Sequence, residues 1–236
     1  MNWEKYLRSE EVANVGDGTP DGLESNGDTY RIKQIEHLIM DIFVGKKMLD
    51  IGANNHIDKQ LRKLGFRVTG LSLIPQPGTM LGDMHEIPFK DKEFKSILCS
   101  HTLEHSISPY IALCEMNRVL KLGGHVILIF PEEGDFWTYA PHHYSCLTVN
   151  QIWSLLLKTG FEVMRTTRFK FRINQMEVKQ DIGVLAKKVR EWKHPLGPFK
   201  THLIPFNTGE INFTPMISVQ DILYLKNDDE VKSTYV

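Results

Sequence analysis

The chain has 236 residues, 42% of them hydrophobic, with 28 basic and 29 acidic side chains and a formal net charge of −1. That length suits one domain with appendages and a substantial core, and the near-zero charge argues against a surface given over to nucleic acid. No apolar run approaches the roughly 18 residues a spanning helix needs, and the N-terminus lacks the shape of a signal peptide, so a cytoplasmic protein with no membrane partner is expected.

Three cysteines without a C-x-x-C pair fit reduced thiols, with Cys99 and Cys114 inside apolar runs. The charge is unevenly spread. Residues 1–28 hold seven acidic and two basic side chains, whereas residues 158–200 hold eleven basic and four acidic ones. A solvated face is the expectation for the basic stretch, and a patch for phosphate-bearing partners is the alternative.

Residues 1–28, polar and rich in glycine, read as a loosely ordered arm. From Thr29 to Val44 the apolar positions Ile32, Ile35, Leu38, Ile39 and Ile42 recur at three- and four-residue spacing, which predicts a helix with one buried face, closed by Gly45. A short apolar strand follows (Met48, Leu49, Ile51), broken at Gly52 into a turn and a helix over about Ile57 to Leu64. Phe66 to Leu71 and Thr79 to Leu81 read as strands on either side of the Pro75-Gln76-Pro77-Gly78 turn. Phe94 to Ser100 is a strand ending in polar residues. Ser108-Pro109 starts a helix that Gly123-Gly124 closes.

His125 to Phe130 is almost wholly apolar, as a central parallel strand should be. After a long loop, Thr148 and Gln151 form a capping box for a helix over Val149–Lys158. Phe161 to Phe169 and about Asp181 to Val189 read as two last strands that pair antiparallel. Residues 190–236 show only scattered pattern. Five strand–helix alternations predict a doubly wound α/β sheet covered on both faces.

In such a sheet, ligand residues come from the loops after the strand carboxyl ends. Those loops, Asp50–His56, Ser72–Ile74, Asp83–His85, Ser100–His105 and Pro131–Tyr144, collect the polar and ionisable side chains, while the strand bodies are apolar. Asp50-Ile-Gly52 resembles the start of a nucleotide-binding turn, but with one glycine and Ala53-Asn54-Asn55 where a dinucleotide fingerprint has more. His101-Thr-Leu-Glu104-His105 matches an H-x-x-E-H zinc pattern. It starts directly off a strand rather than on a continuous helix, so no metal site is expected and capping or loop contacts are the reading for Glu104 and His105.

Four stretches in order, Asp50-Ile-Gly52, Gly82-Asp83-Met-His-Glu-Ile-Pro88-Phe, Phe94 to His105 and Arg118-Val-Leu-Lys-Leu-Gly-Gly-His-Val-Ile-Leu, resemble the successive motifs of class I S-adenosylmethionine-dependent methyltransferases, nearest the type 11 group. The resemblance covers about residues 30–170. It implies a Rossmann-like, mostly parallel seven-stranded sheet with an antiparallel last strand, and S-adenosyl-L-methionine as cofactor. The expected divisions are then an arm over 1–28, a methyltransferase domain over 29–189, and an extension of unassigned role over 190–236.

Carried over position by position, the resemblance puts Asp50, Gly52, Ala53 and Asn54 at the methionine part of the cofactor. It puts Ser72 and Leu73 at the ribose, Asp83 and Met84 at the adenine, and Ser100 and His101 beside the sulfonium. Ser72 departs from the acidic residue usual in the family, and a hydroxyl lacks the carboxylate's charge and second acceptor. In similar enzymes a histidine stands about five residues before the capping threonine. Here that is His143, the candidate general base, with His142 and Glu132 as alternatives.

The implied activity is methyl transfer to an oxygen or nitrogen of a small-molecule or sugar-like acceptor. Two other readings stay open. One is a non-catalytic interaction module on this fold, motivated by Ser72 and the glycine-poor turn. The other is a nucleic-acid methyltransferase using the basic 158–200 stretch.

Overall fold

A computed structural model describes residues 10–17, 26–42, 44–74, 76–133, 140–172 and 178–192. Strand β1 (Glu10–Asp17) is followed by α1 (Asn26–Ile39), β2 (Lys47–Ile51), α2 (Asn55–Lys63), β3 (Arg67–Ser72), β4 (Thr79–Leu81) and β5 (Phe94–Ser100). A 3-10 turn, Leu103–His105, leads to α3 (Pro109–Val119), β6 (Leu120–Pro131), α4 (Val149–Lys158), β7 (Phe161–Arg172) and β8 (Val178–Lys188). The sheet order is β1-β7-β8-β6-β5-β2-β3-β4. β2, β3, β4, β5 and β6 pair in parallel, and β8 runs antiparallel to both β6 and β7. This is the doubly wound, Rossmann-like seven-stranded sheet with an antiparallel last strand, plus one further strand at an edge.

That further strand is the main difference from the sequence reading. Residues 10–17, expected in a loose arm, pair parallel with β7. Without them β7 would be an open edge of unpaired N–H and C=O groups. A strand recruited by backbone pairing leaves little periodicity in its sequence, so Glu-Glu-Val-Ala-Asn-Val-Gly-Asp gave no sign of it. α1 also begins at Asn26, ahead of Thr29. At the other end, Arg190 and Trp192 still belong to the fold. The Arg190 N–H reaches Gly160 O, and the Trp192 N–H donates to Asn117 Oδ1 at 3.0 Å. From residue 193 onward the expected C-terminal extension lies outside the described residues.

Alternation along the strands builds a core on each face of the sheet. Leu49, Ile51, Ile97, Cys99, Val126 and Leu128 pack with α3 and α4, whereas Met48, Leu98, Ile127 and Ile129 pack with Ile35, Leu38, Ile57 and Leu61 of α1 and α2. The predicted capping box on α4 is present: Thr148 accepts from the Gln151 N–H, and the Gln151 side chain accepts from the Thr148 N–H. Lys188 is fully buried, its ammonium donating to Asn117 O and Leu120 O at 2.7 Å and pairing with Glu191 at 2.9 Å. It thus caps the carboxyl end of α3 from β8. No described helix is long and apolar enough to cross a membrane.

Candidate functional site

The site lies along the carboxyl ends of β2, β3, β5 and β6. At Gly52 the chain turns with φ +78°, and the N–H groups of Gly52 and Ala53 both donate to Leu71 O, which pins the turn against β3. An ideal β-carbon on Gly52 would lie 1.9 Å from Thr102 Oγ1. The glycine is therefore required both by its backbone angle and by the threonine above it. Asn54, where the glycine-rich pattern would continue, has φ −122°, an angle open to any residue, and its Oδ1 accepts from the His56 N–H at 2.8 Å. The departure from glycine gives α2 a side-chain cap.

Asp50 works from beneath this turn. Its carboxyl is buried and bonded to the Asn54 backbone and to the Asp58 carboxyl on α2. Burial first, then the Asp58 charge, raises the Asp50 pKa well above the usual carboxylate range. Burial raises that of Asp58 as well. Two buried carboxyls in contact cannot both ionise cheaply, so the pair holds a proton between them. Through the Asn54 backbone the Asp50 carboxyl supports the turn.

On the next strand, Ser72 Oγ accepts from the Ile74 N–H at 3.1 Å, fixing the turn after β3, and leaves its own O–H to give. Leu73 is exposed. Asp83 accepts from the His85 N–H at 2.9 Å and lies 2.6 Å from His85 Nδ1, while His85 Nε2 meets Ser106 Oγ at 2.7 Å. Met84 is buried in the core. The loop carrying these two residues is held from α3. Arg118 forks onto Glu115 and donates to Ile87 O and Phe89 O.

At the end of β5, Ser100 is nearly buried, and its Oγ has no partner among the described residues. His101 takes φ +50° and its N–H donates to Ile129 O. Its Nε2 lies 3.2 Å from Asp181 Oδ2, which also accepts from Gln34 Nε2 at 2.8 Å. A carboxylate only accepts, which places a proton on His101 Nε2. Glu104 is buried at 5% exposure, with its Oε2 unpartnered among the described residues. Burial raises its pKa, partly offset by His101 and His105.

Glu104 and His143 line one small cleft together with Phe130, Ser145 and Cys146. Glu132, the alternative base, is engaged by Arg168. His105 and His142 gather against His143, with ring centroids 4.7–5.0 Å apart.

The expected residues therefore fall into two groups, the Gly52–Asp83 side and the Ser100–His143 side, joined where Thr102 covers Gly52. Thr102, Gln34, Asp58 and Asp181 were missed. Only Asp181 carried a signal in the sequence, as the lone acid opening an apolar strand. S-adenosylmethionine fits this set of acceptors. Gln34 Oε1, Ser100 Oγ and Glu104 Oε2 are buried polar atoms lacking partners among the described residues, and the cofactor's ammonium and hydroxyl groups are suited to such acceptors.

Comparison with known proteins agrees. Residues 49–128 match the family model of a methyltransferase domain. A demethylmenaquinone methyltransferase of Paenarthrobacter aurescens (strain TC1) is 30% identical over 116 residues, spanning 44% of this chain and 46% of that protein. The chain thus matches just under half the length of that curated relative. The 1,6-didemethyltoxoflavin-N1-methyltransferase of Burkholderia thailandensis, solved with 1,6-didemethyltoxoflavin and S-adenosylhomocysteine, superposes with TM-score 0.55 at 15% identity, over 71% of this chain and 85% of that one. A SAM-dependent methyltransferase from Archaeoglobus fulgidus gives TM-score 0.54 at 17% identity, over 67% and 91%. These two likenesses speak to fold. Residues 49–128 thus resemble a methyltransferase domain of the type 11 group, and the chain has the Rossmann-like fold of these solved methyltransferases.

Proposed function

We propose that the chain is an S-adenosylmethionine-dependent methyltransferase acting on an oxygen or nitrogen of a small-molecule or sugar-like acceptor. The observation that carries this is that Ser100 Oγ and Glu104 Oε2 after β5, and Gln34 Oε1, whose side chain shares Asp181 with His101, are buried without partners among the described residues. The cofactor supplies a methyl group already activated on a sulfonium. The chain's own residues have three tasks: binding, exclusion of water, and proton removal where the acceptor needs it.

Gly52, Ala53, Asn54, Ser72, Leu73, Asp83, Met84, Ser100 and His101 form the cofactor side, with Asp50 positioning the turn. Phe130 and Leu147 give the acceptor cleft apolar walls, and Glu104 and His143 give it polar ones. We assign His143 as the group that takes the acceptor's proton, with His142 beside it.

The small-molecule reading is favoured over nucleic acid because four of the eleven basic side chains in the 158–200 stretch are tied up within the fold. Arg165 donates to the carbonyls of His37, Leu38 and Met40, Arg168 pairs with Glu132, Lys188 is buried, and Arg190 donates to Leu157 O and Lys158 O.

Calorimetry with S-adenosylhomocysteine tests the first step. Micromolar binding is expected, and no binding would retire the enzyme in favour of an interaction module. Methyl transfer from labelled cofactor to a panel of acceptors tests the second. With an acceptor in hand, His143→Ala should lower turnover at saturating cofactor by about 10²–10⁴-fold. An unchanged rate would remove His143 as the base.

A further inference from the structure

We propose that His105, His142 and His143 bind one divalent transition-metal ion of the zinc class at the rim of the acceptor cleft. One ring nitrogen from each of the three lies within 4.8 Å of the others. The rings come from two separate segments, the 3-10 turn after β5 and the loop after β6. Three imidazoles brought together on a rim need a reason. Ring contacts alone supply little, and three ring nitrogens this close are within reach of one ion.

His105 Nδ1 lies 3.0 Å from His142 O. A backbone carbonyl only accepts, so Nδ1 carries the proton and the lone pair sits on Nε2. Metal-binding histidines are oriented in this way, with one nitrogen donating to a carbonyl and the other left for the ion. The ring planes of His105 and His142 lie 20° apart, while His143 stands edge-on to both at 74° and 87°. Tetrahedral zinc with Zn–N near 2.0–2.1 Å sets ligand nitrogens about 3.3 Å apart. Closing from at most 4.8 Å, and turning the near-parallel rings of His105 and His142 so that their in-plane lone pairs converge, requires rotation of side chains that are half-buried (His105, His143) or exposed (His142).

The chemistry of the set chooses the ion. Neutral imidazoles suit zinc, nickel, copper or iron(II), whereas magnesium and calcium take oxygen. Among the described residues the group consists of these three side chains, and three protein ligands leave a coordination position open. Since His143 also lines the cleft, that position would be available to an oxygen or nitrogen of the acceptor. Metal binding stands without the methyl-transfer reading; the role toward the acceptor rests on it. With the ion in place, the His143 nitrogen is a ligand. In the metal-loaded chain the ion would take over the proton-removing role assigned to His143, and in the metal-free chain His143 would keep it.

The test is equilibrium dialysis of the full chain against zinc, with metal analysis, and cobalt(II) substitution followed by visible absorption. One ion per chain is expected, with the intense cobalt bands of a four-coordinate site. His142→Ala, on an exposed side chain, should weaken zinc binding at least tenfold, and His105→Ala with His142→Ala should abolish it. Circular dichroism checks that both variants are folded. Zinc well below one per chain, affinity unchanged in folded His142→Ala, or magnesium competing on equal terms would overturn the site. S-adenosylhomocysteine titrated into the same samples separates the two proposals. Zinc binding without it leaves the metal site standing and counts against methyl transfer, and the reverse result does the opposite.

Discussion

The α-carbon of Gly52 lies so close under the hydroxyl of Thr102 that a β-carbon there would sit 1.9 Å from Oγ1. The same contact joins the first-strand turn to the loop after β5, the two halves of the proposed cofactor site. Gly52→Ala meets both this contact and an unfavourable backbone angle of φ +78°, which costs a non-glycine residue about 1–2 kcal/mol. Affinity for S-adenosylhomocysteine should fall at least tenfold. Gly52→Ala with Thr102→Ala should recover part of the loss, because it removes the contacts with Oγ1 and Cγ2 but leaves the angle and a 2.8 Å contact with the β-carbon of residue 102. Full affinity in the single variant would contradict this arrangement.

The Asp50–Asp58 pair predicts a pH dependence of stability. Both carboxyls titrate above their unfolded values in the fold, near 3.9 for an unfolded aspartate. A raised folded pKa contributes stability that is fully present below the unfolded value and is lost as pH rises through the folded one. Asp50→Asn keeps a donor for Asp58 without a proton to lose. Urea unfolding between pH 4 and 8 should show a flatter decline for this variant, which gains on the native chain as pH rises. An equal loss of stability at every pH would refute the shared proton.

Lys188 predicts a change in stability. Replacing it with methionine preserves bulk but leaves Asn117 O and Leu120 O, each now 2.7 Å from the ammonium, without their donor. Buried groups left unpaired cost about 1–3 kcal/mol. At about 2–4 °C per kcal/mol for a chain of this size, a thermal melt resolves the effect. An unchanged Tm would mean that water replaces the lysine there.

Arg118 links packing to the site. A lysine at that position cannot reproduce the fork onto Glu115 together with the bonds to Ile87 O, Phe89 O and Asp91. Arg118→Lys should lower stability by about 1–3 kcal/mol and weaken S-adenosylhomocysteine binding, because the loop bearing Asp83 and Met84 loses its anchor. Lower stability with unchanged binding would confine Arg118 to packing.

Much of the fold was legible because its signals are local. Gly52, Gly65 and Gly160 break elements at the expected places and all take positive φ. Thr148 and Gln151 close their capping box within four residues, and the apolar runs of β5 and β6 announce buried strands. The site was legible only as a set of loops on one sheet edge. Asp50 illustrates the limit. Its place in the motif says nothing of its partner within the fold, Asp58 on the following helix, and no spacing rule says which way a buried carboxyl will turn.

From the sequence alone came the alternation of strands and helices, their caps and breaks, and the identity of the loops that meet at the strand ends. These follow from backbone sterics and side-chain periodicity over a few residues. Tertiary structure decided the rest: β1 closing the edge of β7, His101 meeting Asp181 eighty residues on, Lys188 reaching the end of α3, and His105 gathering with His142 and His143. Such contacts form where buried polar groups must find partners away from water. Which partners they find depends on the packing of distant segments rather than on their neighbours in the chain.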